Sequence, residues 1–104
     1  MSFQKLRAAS VDRKVLLPFV RSLLDHDILV AIGAANEIHA PLGYKQLVLL
    51  DLAPPTTLRR RLNVLLCDRT IRRSPQRGDG RLVSYSLSRK TLLAYQLFIQ
   101  KVFS

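Results

Sequence analysis

Pro54-Pro55-Thr56-Thr57-Leu58-Arg59-Arg60-Arg61-Leu62-Asn63-Val64-Leu65-Leu66-Cys67 is the stretch on which the fold turns. The two prolines end whatever precedes them. Pro55 or Thr56 then opens a new helix, with Thr56 and Thr57 placed to cap it. Leu58, Leu62, Leu65 and Leu66 recur at i, i+4, i+7 and i+8, the stripe of a helix anchored on one side. At ~100° per residue, the opposite side carries Thr56, Arg60, Asn63, Val64 and Cys67, with Arg59 and Arg61 flanking it. The pattern predicts a helix over 56–67 that presents cations and hydrogen-bonding groups outward.

Such a face suits the major groove of duplex DNA. Arginine can pair bidentately with guanine and asparagine with adenine, while threonine hydroxyls and helix N-terminal amides suit phosphate. By position, Thr57, Arg60 and Asn63 are the best candidates for base edges, followed by Thr56 and Arg59. Arg61 is expected toward the DNA backbone. The competing reading is a solvated arginine face on a surface helix.

The chain downstream of this helix favours the DNA reading. Thr70-Ile71-Arg72-Arg73 predicts a short strand and 74–80 a turn. From Arg81 to Leu87 the residues alternate, with Val83, Tyr85 and Leu87 on one face and Leu82, Ser84 and Ser86 on the other. This is a β-hairpin over 70–87 with a basic tip, bracketed by Arg77 and Arg81, beside the strand residue Arg73. Gly78 and Gly80 allow close approach to phosphate. Asp79 is expected to shape the turn by pairing with Arg77 or Arg81. A lone hairpin is marginal in water, so the face of Val83, Tyr85 and Leu87 must pack on helices.

Upstream, Tyr44 to Leu52 reads as a short helix, which makes 44–67 a helix–turn–helix. Residues 1–10 read as a basic leader, and 11–24 as a helix interrupted by Pro18. A further helix runs from Asp25 to about Ile38, and Ala40-Pro41-Leu42-Gly43 breaks the chain. Ser88 caps a last helix to about Phe103, apolar nearly all round. The chain therefore reads as one domain, mainly α with a small β-hairpin. It is a winged helix–turn–helix with flanking helices at 11–24 and 89–103. Those flanking helices are expected to form a homodimer through Val15, Leu16, Phe19, Val20 and Leu23 and through Leu93, Tyr95, Leu97, Phe98 and Phe103. The alternative is a monomer with the last helix lying centrally.

Charge agrees with a polyanion partner. The net charge of the 104 residues is +10. Eight arginines against two aspartates fall between Pro55 and Arg81, a net of +6 from that segment alone. Clustering of this kind is the electrostatic footprint of a nucleic-acid surface. No apolar run reaches the roughly 18 residues needed to cross a bilayer, and no signal peptide is evident, so a cytoplasmic protein without a membrane partner is expected. One cysteine, Cys67, rules out an intramolecular disulfide. It reads either as a redox sensor among arginines or as a small half-buried residue. His26 and His39 form no metal set, no phosphate-binding glycine loop precedes a helix, and no catalytic constellation is visible. The expectation is no enzyme, no metal and no cofactor.

Residues 44–88 resemble the MarR family of bacterial winged-helix transcriptional regulators. Thr57-Leu58-Arg59-Arg60-Arg61-Leu62-Asn63-Val64-Leu65 is similar to that family's recognition helix. Ile71-Arg72-Arg73 resembles the strand entering its wing, and Asp79-Gly80-Arg81 with Ser84-Tyr85-Ser86-Leu87-Ser88 resembles the wing tip and exit. The resemblance implies a dimer, a wing shaped by Asp79 and Arg81, and Arg81 entering the minor groove. Arg69 departs from the family, which usually has glycine there. The short chain leaves a small-molecule effector open but not indicated. Competing functions are a winged-helix module that binds a protein or RNA partner in a larger complex, and a non-specific architectural DNA-binding protein.

Overall fold

The computed structural model describes residues 22–40, 42–76 and 79–103. They form α1 (Leu23–Glu37), α2 (Tyr44–Leu49), α3 (Pro55–Cys67), β1 (Ile71–Gln76), β2 (Asp79–Leu87) and α4 (Arg89–Phe103). The architecture is mainly helical with one antiparallel hairpin, β1 on β2. The basic leader and most of the expected 11–24 helix lie outside the described residues.

α1 is the central element. Ser22 caps it, its hydroxyl accepting from the Asp25 amide at 3.1 Å, so the helix starts at Leu23 rather than at Asp25. Every residue from Ile28 to Ala35 is buried, as expected for a helix apolar on all sides. The other described elements pack around it. α3 contributes Leu58, Leu62 and Leu65, α4 contributes Tyr95, Phe98 and Ile99, and the hairpin contributes Ile71, Tyr85 and Leu87. Asn36, near the end of α1, clips the hairpin on. Its amide donates to the Tyr85 carbonyl at 3.5 Å and its oxygen accepts from the Leu87 amide at 3.4 Å.

The first three helices end on a left-handed residue, and none of the three is glycine. His39, Asp51 and Arg69 have φ of 56°, 54° and 59°. After α3 the Arg69 amide donates to the Leu66 carbonyl and the Thr70 amide to the Leu65 carbonyl at 2.9 Å. These two bonds define a Schellman turn, which normally uses glycine at the left-handed position. Asp51 ends α2 at Leu49, three residues before the expected limit. α3 begins at Pro55 with Pro54 as its cap residue, and no side chain caps it. Thr56 and Thr57 therefore do not cap the helix. Pro55 has no N–H to satisfy and a preset φ, so the helix starts ahead of the threonines.

The hairpin occupies the expected span, but its strands are longer than expected. β1 extends through Ser74, Pro75 and Gln76, which pair with Ser84, Val83 and Asp79, with a register shift between Pro75 and Gln76. Pro75 can sit here because an edge strand does not need every N–H. The inward face of β2 matches expectation, with Tyr85 and Leu87 buried and Val83 half-buried. On the other edge of β2, the Tyr85 amide donates to the Leu42 carbonyl at 2.8 Å, adding a one-residue bridge. Gly43 is next in the chain, and its amide donates to the Gln46 side chain at 2.9 Å to start α2. A Cβ at Gly43 would lie 2.9 Å from the Val83 carbonyl oxygen. Glycine is needed at this position for close approach.

Tyr95 and Phe98 correct the expected dimer surface. Both are core residues, at 0% and 7% exposure. With Thr91 and Ile99 they form the i, i+4, i+7, i+8 face of α4 that packs inward. Among the described side chains of α4, the large apolar residues left on the outside are Leu92, Leu93 and Leu97.

Candidate nucleic-acid interface

α3 presents the expected division of faces. Leu58, Leu62 and Leu65 are 0–4% exposed, while Thr56, Thr57, Arg59, Arg60, Asn63 and Cys67 are exposed and Val64 is half-buried. The leucine stripe therefore fixes the rotation of α3, and the polar groups fall on its outer side. The helix starts with free amides and carries no acid in its first turn, so its N-terminal end is electropositive.

Arg61 is the exception among the three arginines. Its Nε and Nη2 donate to the two carboxylate oxygens of Asp25 at 2.8 and 2.6 Å. Asp25 is 1% exposed and the Arg61 side chain 24%. This two-point fork is the strong geometry for an ion pair. The hydrogen bonds to Asp25 hold the guanidinium even more firmly protonated than usual, against a smaller opposing effect of burial. Arg61 thus faces α1 rather than the backbone of a ligand, and its role is to position α3. Beside it lies a second buried polar pair, His26 Nδ1 and Tyr95 Oη, 3.0 Å apart. Burial holds the His26 imidazole below its ordinary pKa, partly opposed by Asp27. Burial also pushes the Tyr95 hydroxyl well up, with Asp25 and Asp27 adding to the shift.

Arg59 is oriented by Tyr44. Its guanidinium lies 4.9 Å from the ring centroid, and the Tyr44 hydroxyl donates to the Pro55 carbonyl at 3.3 Å. The contact is a cation–π pair between α2 and α3. Arg73 is exposed and pairs across the hairpin with Tyr85. Burial raises the Tyr85 pKa, and the nearby charges of Arg73 and Arg59 oppose the rise. Arg59 on α3 and Arg73 on β1 are thus two exposed cations that both lie near Tyr85. Tyr44 was missed by sequence reasoning. Its spacing from Arg59 crosses a two-proline loop, and no periodic pattern links the two.

Not every expected residue reaches this surface. Arg77 and Gly78 lie outside the described residues. Asp79, Gly80 and Arg81 are members of β2, and their expected side-chain roles also lie outside what is described. Among the described residues, no group of three or more His, Cys, Asp or Glu side chains could hold a metal ion. No described helix is long and apolar enough to cross a membrane.

Against protein-family models, curated proteins and solved structures, the chain has no significant match.

Proposed function

We propose that the chain is a winged helix–turn–helix DNA-binding transcriptional regulator that acts as a homodimer. α2 and α3 are the helix–turn–helix, α3 enters the major groove, and the hairpin lies as a wing on the adjacent backbone or minor groove. One observation carries the reading. The leucine stripe of α3 is buried, and Thr56, Thr57, Arg59, Arg60 and Asn63 stand together on its exposed side, with Arg73 of the hairpin exposed as well. A two-fold dimer would set two such helices about one DNA turn apart. Leu92 and Leu97 of α4 are exposed apolar residues available for that contact.

The test is duplex binding after selection from random DNA. A regulator gives a selected site with two half-sites and a steep fall of log K with log salt. Arg60→Ala then weakens the selected site by roughly 1–3 kcal/mol and relaxes base preference. Equal binding to all duplexes would leave only an architectural role. Failure to bind any duplex would leave the protein- or RNA-binding module.

A further inference from the structure

A second cluster of cations lies away from the outward face of α3. Arg69, Arg72, Arg89 and Lys90 line a shallow cleft of about 590 Å³, together with Ile71, Ser88 and Leu93. The four cations come from three places, the turn after α3, strand β1 and the start of α4, and all are exposed. No acid lines the cleft. Among the described residues none of the four has an ion-pair partner. Arg61 and Arg59, by contrast, are each held by another side chain.

Two facts separate this cleft from the α3 face. Thr56 and Arg69 sit at opposite ends of a helix of 13 residues, a span of ~20 Å at 1.5 Å per residue. On β1 the cleft is lined by Ile71 and Arg72 and not by Arg73. Like charges packed together repel and weaken the native state, and a multivalent anion reverses that. Guanidinium forks match phosphate oxygens in geometry as well as charge.

We infer that the cleft between the α3–β1 turn and the start of α4 is a site for a phosphate-bearing ligand. Arg69, Arg72, Arg89 and Lys90 take the phosphate oxygens, and the partly exposed Leu93 takes an apolar part of the same molecule. The site is independent of the reading of α3, because it uses different residues.

The experiment is an amide NMR titration of the full chain with pyrophosphate, against sodium chloride at matched ionic strength. Saturable shifts are expected at Arg69, Ile71, Arg72, Arg89 and Lys90. The pair Arg72→Gln with Arg89→Gln should weaken binding roughly tenfold or more, and Arg89→Gln alone by less, both with the native amide spectrum kept. Two further ligands identify the source of the phosphate. A nucleoside triphosphate that binds more tightly than pyrophosphate and also shifts Leu93 marks a small organic phosphate. A short duplex that shifts the same amides in the Arg60→Ala protein marks a nucleic-acid backbone. Shifts that chloride reproduces, or that persist in the double variant, overturn the site. Loss of the site leaves the duplex-binding test of α3 unaffected.

Discussion

Arg61→Met removes the charge of the Asp25 partner while keeping most of the apolar stem that packs on α1. It leaves a carboxylate that is 1% exposed facing no cation. Breaking a fully buried ion pair costs about 3–5 kcal/mol, mainly through the stranded charge. The Arg61 side chain is 24% exposed, so water screens part of the loss, and about 2–3 kcal/mol is expected. For a domain of this size that lowers Tm by roughly 10–20 °C. Asp25→Asn should cost less, about 1–2 kcal/mol, since the stranded group is then the half-exposed guanidinium. The double variant should be more stable than the sum of the single losses implies, because neither charge is left alone. The assay is urea and thermal unfolding followed by circular dichroism, with duplex binding measured well below both midpoints. Stability unchanged within about 0.5 kcal/mol, with additive single effects, would refute the positioning role. A folded, fully stable Arg61→Met protein that has lost duplex affinity would place Arg61 on the ligand instead.

Three other perturbations have defined outcomes. Because burial lowers the His26 pKa, the unfolded chain takes up a proton more readily than the native one. The contribution is full above the ordinary value of 6.5 and is lost as pH falls below it, so urea midpoints at pH 7.5 and 5.5 should differ less in His26→Gln than in the native protein. Gly43→Ala forces a methyl against the Val83 carbonyl at 2.9 Å and should cost about 1–3 kcal/mol in chemical denaturation, whereas a neutral result would mean that the loop moves freely from the hairpin. Arg69→Gly relieves the left-handed backbone, offset by the looser unfolded chain, and should stabilise by about 0.5–1 kcal/mol in thermal melts while weakening pyrophosphate binding.

The features legible in the sequence are those carried by a period. Leu58, Leu62 and Leu65 announced both the existence of α3 and its buried side. Val83, Tyr85 and Leu87 did the same for β2. Features that depend on a distant partner were not legible. Helical position sets Arg61 at the flank of the outward face, but nothing in Arg59-Arg60-Arg61 reveals its partner, because Asp25 is 36 positions away. Tyr95 and Phe98 sit in a helix apolar on nearly every side, so its composition hides which face turns inward. The Tyr95 hydroxyl finds His26 across 69 positions. The end of α2 was misplaced where the chain reverses on Asp51, since the usual glycine signal is missing. The apparent turn at Ser74-Pro75-Gln76 reflects composition alone, and pairing with β2 overrides it.

The short bridge from Leu42 to Tyr85 has a consequence for self-association. A two-stranded sheet offers two open edges, each able to recruit a strand from another chain and seed aggregation. Here Leu42 already occupies the outer edge of β2 at its middle. The outer edge of β1 carries Arg72 and Arg73, whose charges repel a like strand, and Pro75, which has no hydrogen to donate. Both edges are blunted, so neither invites growth of the sheet from molecule to molecule. The homodimer proposed above would then form through helices rather than through added strands.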